Sequence, residues 1–205
     1  MNIKELTEFQ LSALAEAGNI GSGHAAIALS QLIGRKIMVA VTNVRILPID
    51  NYTRLIGKSD SLIMGIYLRV LGDVQGAILL VLLREPALNL IDVLMNQKIG
   101  TTKILGEIEQ SALKEAGSIL SASYLNAISD LMKLTVIPSV PRMSFDRAEV
   151  VFESVFEPLR RDSDVVIGIE TEFVEATTRI KGHFIFMPDR QGVSAILKGL
   201  GVETK

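Results

Sequence analysis

Residues 12–42 of this chain return, displaced by 99 positions, as residues 111–141. The first copy begins SALAEAGNIGSGHAA and the second SALKEAGSILSASYL, and 12 of the 31 aligned positions are identical without a gap. A repeat of this kind constrains the fold more than any other feature of the chain, because each unit leaves a face that its sister can cover. The parallel continues downstream as pattern. LIMGIYLRVLGDVQGAILLVLL reads as two strands joined at Gly72–Asp73, followed by a helix from about Pro86 to Met95. DVVIGIETEFVEATTRIKGHFIFM reads the same way, followed by a helix from about Arg190 to Leu200. VVFESVFEPL, residues 150–159, is rich in Val and Phe and reads as a further strand.

The expected fold is therefore α/β in composition and α+β in arrangement, a pseudo-two-fold repeat of two units. Each unit is a long helix, about three mainly antiparallel strands and a short helix, and together they form one sheet with helices packed on it. A single domain over residues 1–205 is expected, with halves of about 1–99 and 100–205; NQKIGTTKILGE, residues 96–107, is the one plausible seam. A monomer is expected, since the chain already contains both halves.

On a helix of 3.6 residues per turn, Leu6, Phe9, Ile20 and Ile27 gather on one side, and Leu11, Leu14, Leu29 and Leu32 on another. Between them runs a strip of Ser12, Glu16, Asn19, Gly23 and Ser30. The second copy carries Ser111, Glu115, Ser118, Ala122 and Ser129 at the same places. Residues three or four apart are neighbours on a helix surface, so a carboxylate and an amide stand side by side in the first copy. A merely solvated stripe has no reason to keep this spacing twice. Gly18, Gly21 and Gly23 each cost a helix about 0.8–1 kcal/mol relative to Ala. Gly18 recurs as Gly117 and suits close packing against the sheet or the sister helix; Gly23, on the strip, suits equally the close approach of a partner.

Other chemistries lack their signatures. The 21 basic and 23 acidic side chains are interspersed, without the basic face of a nucleic-acid binder. GNIGSG does not follow a strand, and no Gly-Lys-Ser/Thr follows it, so it is neither a dinucleotide loop nor a P-loop. The only histidines, His24 and His183, have no zinc spacing, and with no cysteine there is no thiolate site. The most apolar window, Leu62 to Leu83, is interrupted by Arg69, Asp73 and Gln75, and MNIKELTEFQ is charged where a signal peptide is apolar. A cytoplasmic protein with no membrane association is expected.

The repeated pattern resembles the signature of the CheC/CheX/FliY family of bacterial chemotaxis phosphatases, Asp/Ser-x3-Glu-x2-Asn, then 22 residues, then Pro. The first copy supplies Ser12, Glu16 and Asn19, with Thr42 in place of the Pro. The second supplies Ser111, Glu115 and Ser118, with Pro141 at the expected distance. EAGNIGSGHAAIALSQLIGRKI and SYLNAISDLMKLTVIPSVP add to the likeness, which covers nearly the whole chain. Two motif copies match the two-site members of the family rather than the single-site ones.

The resemblance implies hydrolysis of the aspartyl-phosphate of the response regulator CheY. It implies that Asn19 orients the attacking water while Glu16 docks the regulator, and that Glu115 and Ser118 form a second, weaker site. Ser12, Ser111 and Pro141 support the motif. It further implies regulation by the deamidase CheD, no cofactor of the chain's own, and Mg²⁺ on the regulator. The alternative is a CheD-binding adaptor or a docking module like the flagellar switch domains, with little catalysis.

Overall fold

A computed structural model of the chain describes residues 8–51, 60–160, 165–176, 178–199 and 201. Helix α1 (Glu8–Ile33) leads into β1 (Ile37–Pro48), then β2 (Leu62–Gly72), β3 (Gly76–Leu83) and α2 (Arg84–Leu94). Helix α3 (Glu107–Met132) opens the second half and is followed by β4 (Val136–Pro138), β5 (Arg142–Arg147) and α4 (Ala148–Phe156). Strands β6 (Val165–Glu175) and β7 (Thr178–Pro188) and helix α5 (Arg190–Gly199) complete the chain.

The seven strands form one sheet of order β1-β6-β7-β3-β2-β4, with β5 also on β2, and every pairing is antiparallel. Strands of the two halves are interleaved in it: β1 lies against β6, β3 against β7, and β4 and β5 against β2, while β6–β7 and β2–β3 pair within a half. The central pair, β3 and β7, is buried on both faces. Ile78, Leu80, Leu82, Phe184 and Phe186 point to the face that carries α1, α2, α3 and α5. Leu79, Val81, Ile185 and Met187 point to the other face, beneath α4. Alternation along each strand thus feeds two cores rather than one.

VVFESVFEPL is not a strand. It forms α4 and a 3-10 turn over Glu157–Leu159, with Val151, Phe152, Val155 and Phe156 buried. The pairs Val151/Val155 and Phe152/Phe156 recur at four residues, the helical period. β-Branched and aromatic content favours a strand only where a pleated neighbour is available; here the segment lies across a sheet that is already complete. Among the described residues the second half therefore holds four strands and two short helices, not three and one.

Both long helices stop at the same repeat position. Gly34 (φ 67°) and Lys133 (φ 56°) turn left-handed, a conformation free of steric cost for glycine alone. The stretch joining α2 to α3 is bound from within. Asp92, fully buried at the end of α2, accepts hydrogen bonds from the backbone N–H of Gly100 (2.6 Å), Thr101 (3.1 Å) and Thr102 (2.9 Å). Burial alone would raise its pKa, but the bonds from Thr102, Gly100 and Thr101 outweigh this and hold the carboxyl below its ordinary value.

Candidate functional site on the long helices

The glycines of the repeat divide by what they face. A Cβ on Gly18 would meet Val41 Cγ2 at 3.2 Å and Ile169 Cγ2 at 3.9 Å; one on Gly117 would meet Ile66 Cδ1 at 2.7 Å. The recurring glycine is thus the one that seats each helix on the sheet. Gly21 does not recur, because it serves the helix crossing: a Cβ there would lie 2.8 Å from Tyr124 Cα. Where α1 has Gly21 and Ala25, α3 has Leu120 and Tyr124, all buried, so bulk on one helix fits a hollow on the other. The Tyr124 hydroxyl shares a hydrogen bond of 3.1 Å with Thr171, and its ring packs 4.5 Å from Phe184. Burial, opposed by the Thr171 bond, pushes this phenol up to about 12, so it stays neutral.

With those faces against the protein, the strip faces solvent. Ser12, Glu16 and Asn19 are exposed on α1; on α3, Ser111 and Glu115 are exposed and Ser118 is half-buried. Among the described residues nothing pairs with or hydrogen-bonds to the Glu16, Asn19 or Glu115 side chains. A carboxylate and a carboxamide three residues apart are therefore free for an external partner. Behind Asn19, the buried Ser22 hydroxyl donates to its carbonyl oxygen at 2.9 Å. Ser111 instead donates to the Glu107 carbonyl at 2.8 Å, one turn back along its own helix.

Two expectations change. Ser30 and Ser129 do not belong to the strip: each turns to the chain leaving its helix. Ser30 Oγ accepts from Ile37 N (2.9 Å) and donates to Ile37 O (3.2 Å), while Ser129 donates to the Leu134 carbonyl. Nor do the two apolar sides that flank the strip have one environment. Leu14 and Leu29 are buried, but Phe9 (79%), Ile20 (42%) and Ile27 (60%) are exposed. Leu6 lies outside the described residues.

Thr42 and Pro141 occupy corresponding irregularities. Thr42 stands at the bulge between Val41 and Asn43 in β1, its hydroxyl donating to the Glu170 carbonyl at 3.3 Å. Pro141 stands at the break between β4 and β5, where Ser139 bridges to Arg69: Ser139 N donates to Arg69 O (2.8 Å) and Arg69 N to Ser139 Oγ (2.9 Å). A proline fits such a place because it has no N–H to lose from the ladder. Thr42 is accordingly part of an ordered strand rather than of a loop.

A groove of about 930 Å³ lies elsewhere, between β2, β5 and α4, and none of the strip residues lines it. Among the described residues no three His, Asp or Glu side chains converge as metal ligands would, and no helix is long and apolar enough to cross a membrane.

Two paired long helices on one face of a seven-stranded antiparallel sheet form a fold that solved structures of FliY and of a FliM complex share. The crystal structure of Thermotoga maritima FliY superimposes with a TM-score of 0.79 at 23% identity, over 96% of this chain and 98% of that one. A chain of the FliM–SpeE complex from H. pylori does so with a TM-score of 0.70 at 13% identity, over 96% and 97%. The family model described as CheC-like matches residues 9–41 and 108–144, the two stretches that hold the strips. The CheY-P phosphatase CheC of Bacillus subtilis is 32% identical over 200 residues, 96% of each chain. The chain belongs to the CheC-like family.

Proposed function

We propose that this protein is a chemotaxis phosphatase that hydrolyses the aspartyl-phosphate of a CheY-type response regulator, with Asn19 orienting the attacking water and Glu16 docking the regulator. The observation that carries this reading is the free Glu16/Asn19 pair on a solvent-facing helix surface, in a chain similar along its length to the CheY-P phosphatase of B. subtilis.

The chemistry asks little of such a surface. An acyl phosphate is already activated, and its charge is met by the Mg²⁺ and lysine of the regulator's own site. What remains is to place a water in line with the scissile bond. A carboxamide does this with one acceptor and two donors on a planar group. The water oxygen bonds to phosphorus, the bond from phosphorus to the aspartyl oxygen breaks with its electron pair, and the carboxylate is regenerated; both protons of the water leave with the phosphate, as dihydrogen phosphate. A substrate carried on another protein needs a projecting helix face rather than a pocket, in keeping with the strip's distance in kind from the 930 Å³ groove. Glu16 supplies a charge-assisted contact to a basic group of the regulator, worth about 1.5–3 kcal/mol.

The second strip is the weaker site. Ser118 is shorter than Asn, offers no amide and is half-buried, so Glu115 docks the regulator without a well-held water. Ser12 and Ser111 shape the first turn of each strip, and Pro141 and Thr42 the strand that follows. CheD is the regulatory partner and the chain works without a cofactor of its own, two statements that rest on the family alone; a place in the cytoplasm is the reading of the sequence. Decay of phosphorylated CheY with catalytic amounts of the protein tests the reading. Asn19→Ala is expected to lose most of the acceleration and Glu16→Ala to raise KM, while Glu115→Ala has the smaller effect. Full activity in Asn19→Ala with its loss in Glu115→Ala would reverse the ranking of the sites. Acceleration only at stoichiometric amounts would favour an adaptor.

A further inference from the structure

Three features of α1 have no partner among the described residues. Gly23 is exposed, and a Cβ built on it meets nothing within 4 Å. Every other glycine of the helix is explained by a neighbour: Gly18 by Val41 and Gly21 by Tyr124. Ile20 and Ile27 stand out into solvent at 42% and 60% exposure. At about 100° per residue, Glu16, Asn19, Ile20, Gly23 and Ile27 fall on one stripe, with Gly23 near its middle and opposite the buried Leu14, Ala25 and Leu29.

The sister helix shows what the stripe looks like without this combination. Gly23 is replaced there by Ala122, Ile27 by Asn126, and Ile20 by Ile119, which packs against the core. The two copies thus keep Ser and Glu on the strip and the sheet-facing glycine, and differ on the outward surface around Asn19.

We propose that Gly23 is the point at which the docked receiver domain comes closest to α1, with Ile20 and Ile27 as apolar anchors on either side. This rests on the reading of Glu16 and Asn19 given above and deepens it. A helix interior gives up stability at glycine for no internal return at this position. An absent Cβ lets a partner's backbone or phosphoryl-bearing loop settle against the helix, within reach of an Asn side chain one turn away. Exposed isoleucines flanking a polar pair have the arrangement of an interface, apolar anchors around the groups that set register. The partner this fits is a folded domain that presents an apolar rim beside its phosphorylated carboxylate.

The test is Gly23→Ala in the full chain, read three ways: thermal unfolding, kcat/KM for phosphorylated CheY, and affinity for CheY held in its active form with beryllofluoride. The midpoint of unfolding is expected to rise by about 2–4 °C, since Ala replaces Gly in an unobstructed helix position. Over the same substitution kcat/KM and affinity are expected to fall about tenfold or more, because a displacement on the order of 1 Å at a docking surface is enough to misplace the water. Ile27→Asn, which installs the second copy's residue, is expected to weaken affinity without lowering the unfolding midpoint. Unchanged kcat/KM and affinity in Gly23→Ala would overturn the proposal while leaving the phosphatase reading intact. So would a lowered midpoint, which would reveal an internal role for Gly23. A wild-type chain that binds activated CheY but does not hydrolyse the phosphate would sink the phosphatase reading alone, and affinity would then decide the role of Gly23. A wild-type chain that neither binds nor hydrolyses overturns both.

Discussion

Asn19 and Ser118 hold the same place in two helices related by 99 residues, and the difference between them is one of reach and chemistry. An Asn side chain carries its amide one carbon further out and can both accept from and donate to one water. If that is what separates the strips, the second can be repaired. Ser118→Asn placed in an Asn19→Ala background is expected to recover at least about tenfold of the lost dephosphorylation rate, measured with phosphorylated CheY. No recovery would mean that the surroundings of the second strip, Ala122 and Asn126 among them, decide as much as the amide. Both sequence copies display this contrast openly, because the identities of Asn19 and Ser118 and their common spacing from Glu are local to each helix. The sequence could not show that Ser30 and Ser129, spaced like strip members, are taken up by the chain leaving each helix.

Helices α1 and α3 meet where Tyr124 lies against Gly21, and this explains why the repeat diverges there. Contacts that each helix makes with equivalent strands keep equivalent residues, as at Gly18 and Gly117 against Ile169 and Ile66. Contacts the helices make with each other demand complementary residues instead. Gly21→Ala is therefore expected to destabilise the fold by about 1–3 kcal/mol, as overpacking against a backbone atom does, while Gly18→Ala, facing the movable Val41 side chain, costs less. Denaturant unfolding of the two variants checks the order. Helix α4 makes the complementary point about legibility. Its Val and Phe content spoke for a strand, while the four-residue spacing of its buried side chains spoke for a helix, and only the position of the segment across a finished sheet decides between them.

Strand pairing across the halves ties the molecule together, since β1 finds its partner in β6 and β3 in β7. Residues 1–99 expressed alone would lack both partners and are expected to be unfolded; cooperative thermal unfolding of that fragment would contradict this. At the seam, Asp92 adds a dependence on acid. Its folded pKa is depressed below the unfolded value of about 3.9, so its stabilisation is present above that pH and is lost as pH falls through the folded value. Asp92→Asn is expected to cost about 2–4 kcal/mol at neutral pH, because the amide cannot serve three N–H donors as the carboxylate does. It should also flatten the loss of stability below about pH 4, which urea unfolding from pH 2 to 7 measures. By itself the sequence determined the two long helices, the β2–β3 and β6–β7 hairpins and the Ser-x3-Glu-x2-Asn strip, because periodicity and turn chemistry are local. Only the tertiary structure decided which strands pair across the halves, that Gly21 answers to Tyr124, and that Phe9, Ile20 and Ile27 face water rather than a core. Burial is a property of what lies opposite a residue, and what lies opposite here comes from the other half of the chain.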